Sequence, residues 1–144
     1  MKNKFTLISD SVTYDFIYIG TIKPKCDEKN NCILTNINNT DYCNFSVSFP
    51  EKEGIYLWVL DNQIEYIGNS ININHQFNFR FGTITSRNCE KDGQSTNRNL
   101  NNAVYKEYQN GKLFAIYFCE IINSKKEKSL ILKKYKTKYN KRRG

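Results

Sequence analysis

Two tyrosines and two polar residues near the C terminus are the side chains whose types and spacing could do chemistry. Tyr56 ends a Gly-Ile-Tyr tripeptide, and Tyr66 begins a Tyr-Ile-Gly tripeptide ten residues later. Glu127 lies in the segment Glu-Lys-Ser-Leu-Ile, and Asn140 follows it by thirteen residues. A tyrosine hydroxyl has a reference pKa of ~10, so it acts as a base only where a metal, a cation or a hydrogen bond favours its phenolate. The elements around these residues must supply such a partner.

The two tyrosines fall on the arms of a predicted β-hairpin. Gly54–Leu60 (GIYLWVL) and Ile64–Gly68 (IEYIG) are apolar runs rich in β-branched and aromatic residues, which is typical of strands. Asp61 and Asn62 lie between the runs and supply turn residues. The pattern therefore predicts that the tyrosines lie on adjacent antiparallel strands.

The remaining elements are predicted as strands on both sides of this hairpin and as helices near the C-terminal end. Apolar residues at helical spacing, with capping candidates before them and a glycine after them, predict a helix over 97–110. Leu113–Ile122 is almost continuously apolar and indicates a buried central strand. Other segments are predicted as strands (Thr13–Ile22, Tyr42–Phe49), weakly helical (70–80), an irregular loop (82–99) and an amphipathic helix (124–136). We therefore predict an α+β fold, a small and mostly antiparallel sheet flanked by helices, with extra N-terminal strands.

Length and composition predict one soluble, folded domain. The chain has 144 residues, 39% of them hydrophobic and 14% aromatic, which is too apolar for a disordered chain. It contains no run of ~18 apolar residues, so no membrane partner is expected. Residues 1–50 are predicted to form a β-rich extension packed on the same domain as residues 51–144. An odd number of cysteines, five, and the lack of a secretory signal pattern predict a cytoplasmic protein.

The positive charge is concentrated at the C-terminal end of the chain. Residues 124–144 contain ten Lys or Arg and one Glu, a net charge of +9, whereas the whole chain carries +8. A basic block favours polyanions because each phosphate that it neutralises releases counterions, but charge runs are also common in solvated tails. Leu130, Ile131 and Tyr135 occur at helical spacing inside the block, which favours an ordered amphipathic helix.

The order of the tripeptides and of the residues after them resembles the GIY-YIG nuclease family. The resemblance covers roughly residues 52–142 and includes a Glu-x-x-Leu-Ile segment, which begins at Glu127, and the terminal Asn140. A second Tyr-Ile-Gly at 18–20 has no Gly-Ile-Tyr before it, so we interpret it as an ordinary strand. The resemblance implies a metal-dependent endonuclease that hydrolyses phosphodiester bonds in double-stranded DNA.

The resemblance also implies a role for each of these residues. Tyr56 would be the general base that deprotonates a water, and Tyr66 its positioning neighbour. Glu127 would hold one Mg²⁺ or Mn²⁺ ion, and Asn140 would orient Glu127 or the substrate by hydrogen bonding. Taken singly, the tyrosines are more often packing residues of strands and the glutamate a surface ion-pair partner. Only as an ordered set do these residues favour catalysis.

The position of the family's catalytic arginine, ten residues after the second tyrosine, is occupied by Gln76. Glutamine can donate a hydrogen bond to a phosphate oxygen but carries no charge, and charge-assisted bonds are roughly twice as strong. Arg80 lies four residues on, at a spacing that shares a helix face, and is our candidate substitute. His75 adjoins Gln76 and is a candidate relay or phosphate contact, although a lone histidine is more often a surface residue.

Candidate DNA contacts occur in the polar loop and in the basic block. The loop Asp92–Arg98 is rich in donors and acceptors that suit phosphates and base edges, although a solvated turn with a helix cap explains it equally well. The small size favours a compact restriction-like enzyme, and site-specific cutters of duplex DNA often act as symmetric dimers, so a homodimer is compatible with this function. The predicted contacts are Arg87, Gln94, Asn97, Arg98, Lys133, Lys134 and Lys138.

The sequence leaves two other functions open. One is a homologue that keeps the fold and the basic helix and binds nucleic acid without cleaving it, because Gln76 replaces the arginine. The other is a basic RNA-associated protein without a nuclease fold, which would require the spacing of the two tyrosines to be accidental.

Overall fold

Seven β-strands and three α-helices form the regular structure of residues 2–89 and 95–140, which the computed structural model describes apart from the side chain of Asn88. The chain is thus an α+β protein, as its sequence pattern predicts. A π-helical segment, Gln76–Phe81, directly continues the first helix, and a 3₁₀ turn spans Ser86–Cys89. The strands are β1 (Lys4–Ser9), β2 (Val12–Ile22), β3 (Leu34–Ile37), β4 (Thr40–Cys43), β5 (Gly54–Leu60), β6 (Gln63–Ser70) and β7 (Phe114–Glu120). The helices are α1 (Ile73–His75), α2 (Ser95–Gln109) and α3 (Ser124–Lys134).

Five of these strands form one sheet, in the order β1-β2-β7-β5-β6. β1 pairs with β2, and β5 pairs with both β6 and β7, antiparallel in each case. The apolar run that begins β7 is buried from Phe114 to Phe118, and β7 is the central strand, as predicted. β3 and β4 form a separate antiparallel pair.

A two-residue turn closes the hairpin of β5 and β6. Asp61 and Asn62 both have positive φ angles, 51° and 64°, which is the geometry of the type I′ turn that matches the twist of paired strands. Leu60 pairs with Gln63 directly at the turn. The predicted hairpin is confirmed, and β6 begins one residue earlier and ends two residues later than expected.

Side chains along β5 alternate between the two faces of the sheet. Ile55, Leu57 and Val59 share one face and belong to a buried apolar cluster with Ile131 of α3. α3 therefore covers this face, whereas Tyr56, which alternates with these residues, lies on the opposite face. The other buried members of the cluster are Leu7, Tyr14, Phe16, Ile67, Ala115 and Tyr117.

The chain divides into two internally packed units. One contains the described parts of residues 1–21, 49–73 and 115–144, and with them most of the five-stranded sheet and α3. The other contains residues 22–48 and the described parts of 74–114, with β3, β4 and α2. β1 and most of β2, from the first 50 residues, thus belong to the same unit as the hairpin.

A buried asparagine organises the second unit. The Nδ2 group of Asn101 donates to the carbonyl oxygens of Cys43 and Phe81, at 2.9 and 2.8 Å. Its Oδ1 accepts from the main-chain N–H of Cys43 at 3.1 Å. Because a buried amide is costly when it lacks partners, these bonds fix α2 to β4 and to the end of the π-helical segment.

The strand predicted over Tyr42–Phe49 is wrong beyond Cys43, where β4 ends. The main-chain N–H of Val47 donates to Oδ1 of Asn78 at 2.8 Å, and its carbonyl accepts from Nδ2 of Asn78 at 2.9 Å. A side-chain amide has therefore taken the place of a neighbouring strand, and no apolar pattern could indicate this.

Other element boundaries also differ from the prediction. β1 and β3 lie outside the predicted strands, because both are short and partly exposed and so lack a clear apolar run. α2 begins at Ser95, so that Ser95 and Thr96 are helical residues where the sequence predicted caps.

Among the described residues, no helix is both long and apolar enough to cross a membrane.

Candidate functional site

Tyr56 and Tyr66 are neighbours on one face of the sheet. The register of β5 and β6 pairs Tyr56 with Gly68 and Trp58 with Tyr66, and directly paired residues share a face. The two tyrosine ring centroids are 6.2 Å apart, with an interplanar angle of 41°. Tyr56 is only 1% exposed, whereas Tyr66 is partly exposed. Burial raises the pKa of Tyr66, and a side-chain hydrogen bond with Tyr56 opposes that shift.

The glycines of both tripeptides are required by close packing. A β-carbon on Gly68 would lie 2.4 Å from both Cζ and Oη of Tyr56. A β-carbon on Gly54 would lie 2.2 Å from the carbonyl oxygen of Cys119 and 2.5 Å from Cε1 of Phe118. Since nonbonded carbon atoms pack at about 3.5–4.0 Å, no larger residue fits either position unless its surroundings move. The hairpin therefore seats the Tyr56 ring directly over Gly68.

The first turn of α3 is anchored by a carboxylate that precedes β5. Oε2 of Glu53 accepts hydrogen bonds from the main-chain N–H and the hydroxyl of Ser124, at 3.1 and 2.8 Å. Asn123, at the N-cap, has a φ of 56° and makes no side-chain capping bond. Ser124 is the first helical residue and a donor to Glu53. A carboxylate at this place satisfies free N–H groups and suits the helix dipole.

Glu127 lies one helical turn farther along and is bound by a tyrosine of the N-terminal region. Its Oε1 accepts a hydrogen bond from the hydroxyl of Tyr14 on β2 at 2.8 Å. Tyr14 is 2% exposed. Burial, followed by the hydrogen bond and the negative charge of Glu127, raises the pKa of Tyr14 to about 12. Tyr14 is thus a neutral donor to the carboxylate, and sequence reasoning missed it because nothing in a pattern links two residues 113 positions apart.

Glu127 and the tyrosine pair are held on opposite faces of the sheet. Tyr14, the partner of Glu127, belongs to the apolar cluster on the face that α3 covers. Tyr56 and Tyr66 share the other face. The structure therefore brings the two tyrosines together and places Glu127 with Tyr14.

Asn140 binds the main chain of the Tyr-Ile-Gly strand. Its Oδ1 accepts from the N–H of Ile67 at 2.7 Å, and its Nδ2 donates to the carbonyl of Ile67 at 2.9 Å. The N–H of Tyr139 donates to the carbonyl of Glu65 at 2.9 Å, and the hydroxyl of Thr137 also bonds to Asn140. Asn140 thus holds the strand that carries Tyr66; its hydrogen bonds run to Ile67 and Thr137 and not to Glu127.

His75, Gln76 and Arg80 lie in the second unit, on the last residue of α1 and on the π-helical segment. His75 and Arg80 are exposed, and Gln76 is partly exposed. The ring of His75 lies against the exposed ring of Phe79, with centroids 5.0 Å apart. Arg80 lies four residues after Gln76, the position where the resemblance places an arginine, and its side chain is exposed.

The predicted DNA contacts differ in exposure. Arg87 is exposed on the 3₁₀ turn, whereas Asn97 on α2 is 6% exposed. Arg98 is partly buried. Burial raises the pKa of Tyr42, and the hydrogen bond and positive charge of the Arg98 guanidinium partly offset this rise. Lys134 is exposed, but its ammonium donates to the carbonyl of Ile8 at 2.9 Å. Lys133 and Lys138 are exposed as well, and Gln94 lies outside the described residues.

Glu127 is the carboxylate that the resemblance assigns to a divalent cation. Within residues 2–89 and 95–140, Oε2 of Glu127 makes neither a hydrogen bond nor an ion pair. The same ranges contain no group of three or more His, Cys, Asp or Glu side chains that could hold a metal. Mg²⁺ usually keeps several waters and binds one or two carboxylates together with substrate phosphates. Glu127 therefore fits an ion shared with a phosphate and not a closed metal site.

Comparisons of the chain with models of protein families, with curated proteins and with solved structures found no match. Residue types and their geometry are therefore the basis for assigning a function.

Proposed function

We propose that the chain is a GIY-YIG-type endonuclease that depends on Mg²⁺ or Mn²⁺ and hydrolyses phosphodiester bonds in double-stranded DNA. The observation that carries this proposal is the packing of the Tyr56 ring over Gly68, with Tyr66 beside it on the paired strand. The register set by the Asp61-Asn62 turn brings both tripeptides together, with Tyr56 and Tyr66 on one face of the sheet.

The order of the other elements supports the same function. A helical segment with Gln76 and Arg80 follows the hairpin, Glu127 lies in the first turn of the last helix, and Asn140 comes after that helix. This is the order that the resemblance implies. The basic block from residue 124 onward favours a polyanionic substrate.

In the proposed reaction, Tyr56 is the general base that takes a proton from the attacking water, and Tyr66 positions the Tyr56 side chain through the hydrogen bond between them. Glu127, on the face of the sheet opposite Tyr56, would hold a divalent ion through the carboxylate oxygen that Tyr14 leaves open. Such an ion would supply positive charge to a phosphate of the substrate. Asn140 fixes the strand of Tyr66, and Arg80 stays the candidate for the missing arginine by sequence order.

Nicking of supercoiled plasmid in Mg²⁺ tests the proposal. Glu127→Gln removes the charge but keeps an oxygen that can accept from Tyr14, so the fold should survive. We expect the rate to fall by roughly 10²–10³-fold, the usual effect of losing one group that stabilises transition-state charge. Glu120→Gln is the matched control, because Glu120 is an exposed carboxylate that forms an ion pair with Lys52 at 3.4 Å.

Two results would contradict the nuclease. One is a wild-type protein that makes no nicks in Mg²⁺ or Mn²⁺, and the other is equal activity in Glu127→Gln and Glu120→Gln. Gel electrophoresis of the plasmid separates supercoiled, nicked and linear forms, so a single nick in one strand is detected.

Nucleic-acid binding without cleavage is a second candidate, favoured by two observations. Tyr56 is 1% exposed, and Glu127 lies on the opposite face of the sheet with Tyr14. Gln76 in place of an arginine is consistent with lost activity. Under this function the chain binds duplex DNA in a salt-dependent manner and makes no nicks. Restoration of cleavage in Gln76→Arg would identify the chain as a disabled nuclease, whereas no gain would count against that origin.

A further inference from the structure

One stripe of α3 rests on the hairpin formed by β1 and β2. The stripe consists of Glu127, Leu130 and Lys134, which occur at helical spacing. Tyr14 donates to Glu127 at 2.8 Å, and the hydroxyl of Ser9 donates to the carbonyl of Leu130 at 3.2 Å. The ammonium of Lys134 donates to the carbonyl of Ile8 at 2.9 Å. The N-terminal hairpin, outside the part of the chain that resembles a nuclease, therefore fixes the helix that carries Glu127.

The hydroxyl of Tyr14 also fixes the carboxylate itself. Tyr14 is 2% exposed and belongs to the apolar cluster, and its hydroxyl donates to Oε1. Lys126 and Lys128 adjoin Glu127 in the chain, but in the described part of the chain neither makes an ion pair with it. Among residues 2–89 and 95–140, the hydrogen bond that orients this carboxylate therefore comes from the N-terminal hairpin.

We propose that Tyr14 is a positioning residue that holds the Glu127 carboxylate in the orientation in which it binds a divalent cation. The inference rests on the proposed nuclease function and gives the N-terminal hairpin a part in it. Groups that hydrogen-bond to a metal ligand orient it, and their loss typically costs 10–100-fold in metal affinity or activity.

Tyr14→Phe tests the proposal, because it removes only the hydroxyl. Tyr117→Phe is the matched control: Tyr117 is 0% exposed in the same cluster, and its hydroxyl donates to the main-chain carbonyl of Lys2 at 2.5 Å. Two readouts are compared in the full chain. One is the dissociation constant for Mn²⁺ in the presence of inorganic phosphate, measured by electron paramagnetic resonance, and the other is the Mn²⁺ concentration that gives half-maximal plasmid cleavage.

We expect Tyr14→Phe to raise both quantities about 10–100-fold relative to wild type and Tyr117→Phe. The cleavage rate at saturating Mn²⁺ should return to within a few-fold of the wild-type rate, a recovery that general damage to the fold would not allow. Tyr14→Met is the second variant, because it also removes the hydroxyl and keeps an apolar side chain in the cluster. It should weaken Mn²⁺ binding by a similar factor, and it serves alone if Tyr14→Phe does not fold.

The outcomes separate this inference from the nuclease function. Wild-type cleavage with Mn²⁺ binding that is equal in Tyr14→Phe and Tyr117→Phe overturns the role of Tyr14 and leaves the nuclease intact. Mn²⁺ binding by Tyr14→Met at wild-type strength overturns it in the same way. A wild-type protein that neither binds Mn²⁺ nor cleaves DNA overturns both the role of Tyr14 and the nuclease.

Discussion

The ring of Tyr56 occupies the space in which residue 68 would carry a side chain. Any β-carbon there would lie 2.4 Å from the ring, far inside normal contact. The glycine of Tyr-Ile-Gly is therefore fixed by the tyrosine of Gly-Ile-Tyr on the paired strand. The two tripeptides act as one packing motif, and Tyr66 is placed beside it.

Replacing Gly68 by alanine should destabilise the fold by ~1–3 kcal/mol, the usual cost of inserting a methyl group into a packed site. The free energy of unfolding in urea measures this. A Tyr56→Leu background provides the control, because leucine has no ring atoms over residue 68 and the same Gly68→Ala change should then cost less. An equal cost in both backgrounds would show that the Tyr56 ring is not what excludes a side chain.

At this scale the sequence could predict residue types but not all partners. Tyr56 and Tyr66 could be predicted as neighbours because ten residues and a turn signal separate them, and the structure confirms that they are adjacent. The bond from Tyr14 to Glu127 depends on how a helix packs on a sheet, and local pattern carries no information on that. The roles of these residues in catalysis stay predictions.

The free edge of β6 is covered by a short segment after α3. β6 is the last strand of the sheet, and an edge strand exposes unpaired N–H and C=O groups. Tyr139 bonds to Glu65 through the main chain, and Asn140 bonds to both main-chain groups of Ile67 through its side chain. The side chain of Asn140 thus makes the two hydrogen bonds to Ile67 that a further strand would make.

Asn140→Ala should loosen this edge and destabilise the chain by about 1–3 kcal/mol, because two hydrogen bonds worth ~0.5–1.5 kcal/mol each are lost. Hydrogen exchange at the amide of Ile67 should accelerate more than exchange elsewhere in β6. Asn140→Asp is the control that keeps an acceptor for this amide and loses the donor, so it should lower stability while the amide stays protected. An unchanged exchange rate for Ile67 in Asn140→Ala would contradict the clamp.

Elements with a strong local signal were predictable, and those defined by distant partners were not. The hairpin, β7 and α3 each have a continuous apolar or helical pattern in the sequence. β1 is a partly exposed edge strand and has no such pattern. The segment after β4 reads as a strand, but Asn78 binds its main chain at Val47 instead.

For the whole molecule, the sequence predicts the order of the candidate residues along the chain but not the face of the sheet on which each lies. Tyr56 and Tyr66 share one face, and Glu127 is bound to Tyr14 on the other. The distribution of charge is predictable, because it follows from the sequence alone. Residues 124–144 carry a net charge of +9, and the rest of the chain carries −1, which together give +8. That block includes α3, which crosses the sheet from β6 to β1.

Salt dependence of duplex binding tests whether the charge of residues 124–144 holds nucleic acid. Lys133 and Lys138 are exposed in this block, and Lys23 and Lys29 are exposed in the nearly neutral remainder. If each lysine of the first pair neutralises one phosphate, changing both to glutamine should reduce the slope of log Kobs against log salt by about 1.8, since each contact contributes ~0.9. The control, Lys23→Gln with Lys29→Gln, removes the same charge and should leave the slope nearly unchanged. Fluorescence anisotropy of a labelled duplex without Mg²⁺ measures both, and equal losses of slope would show that net charge, not the location of these lysines, determines binding.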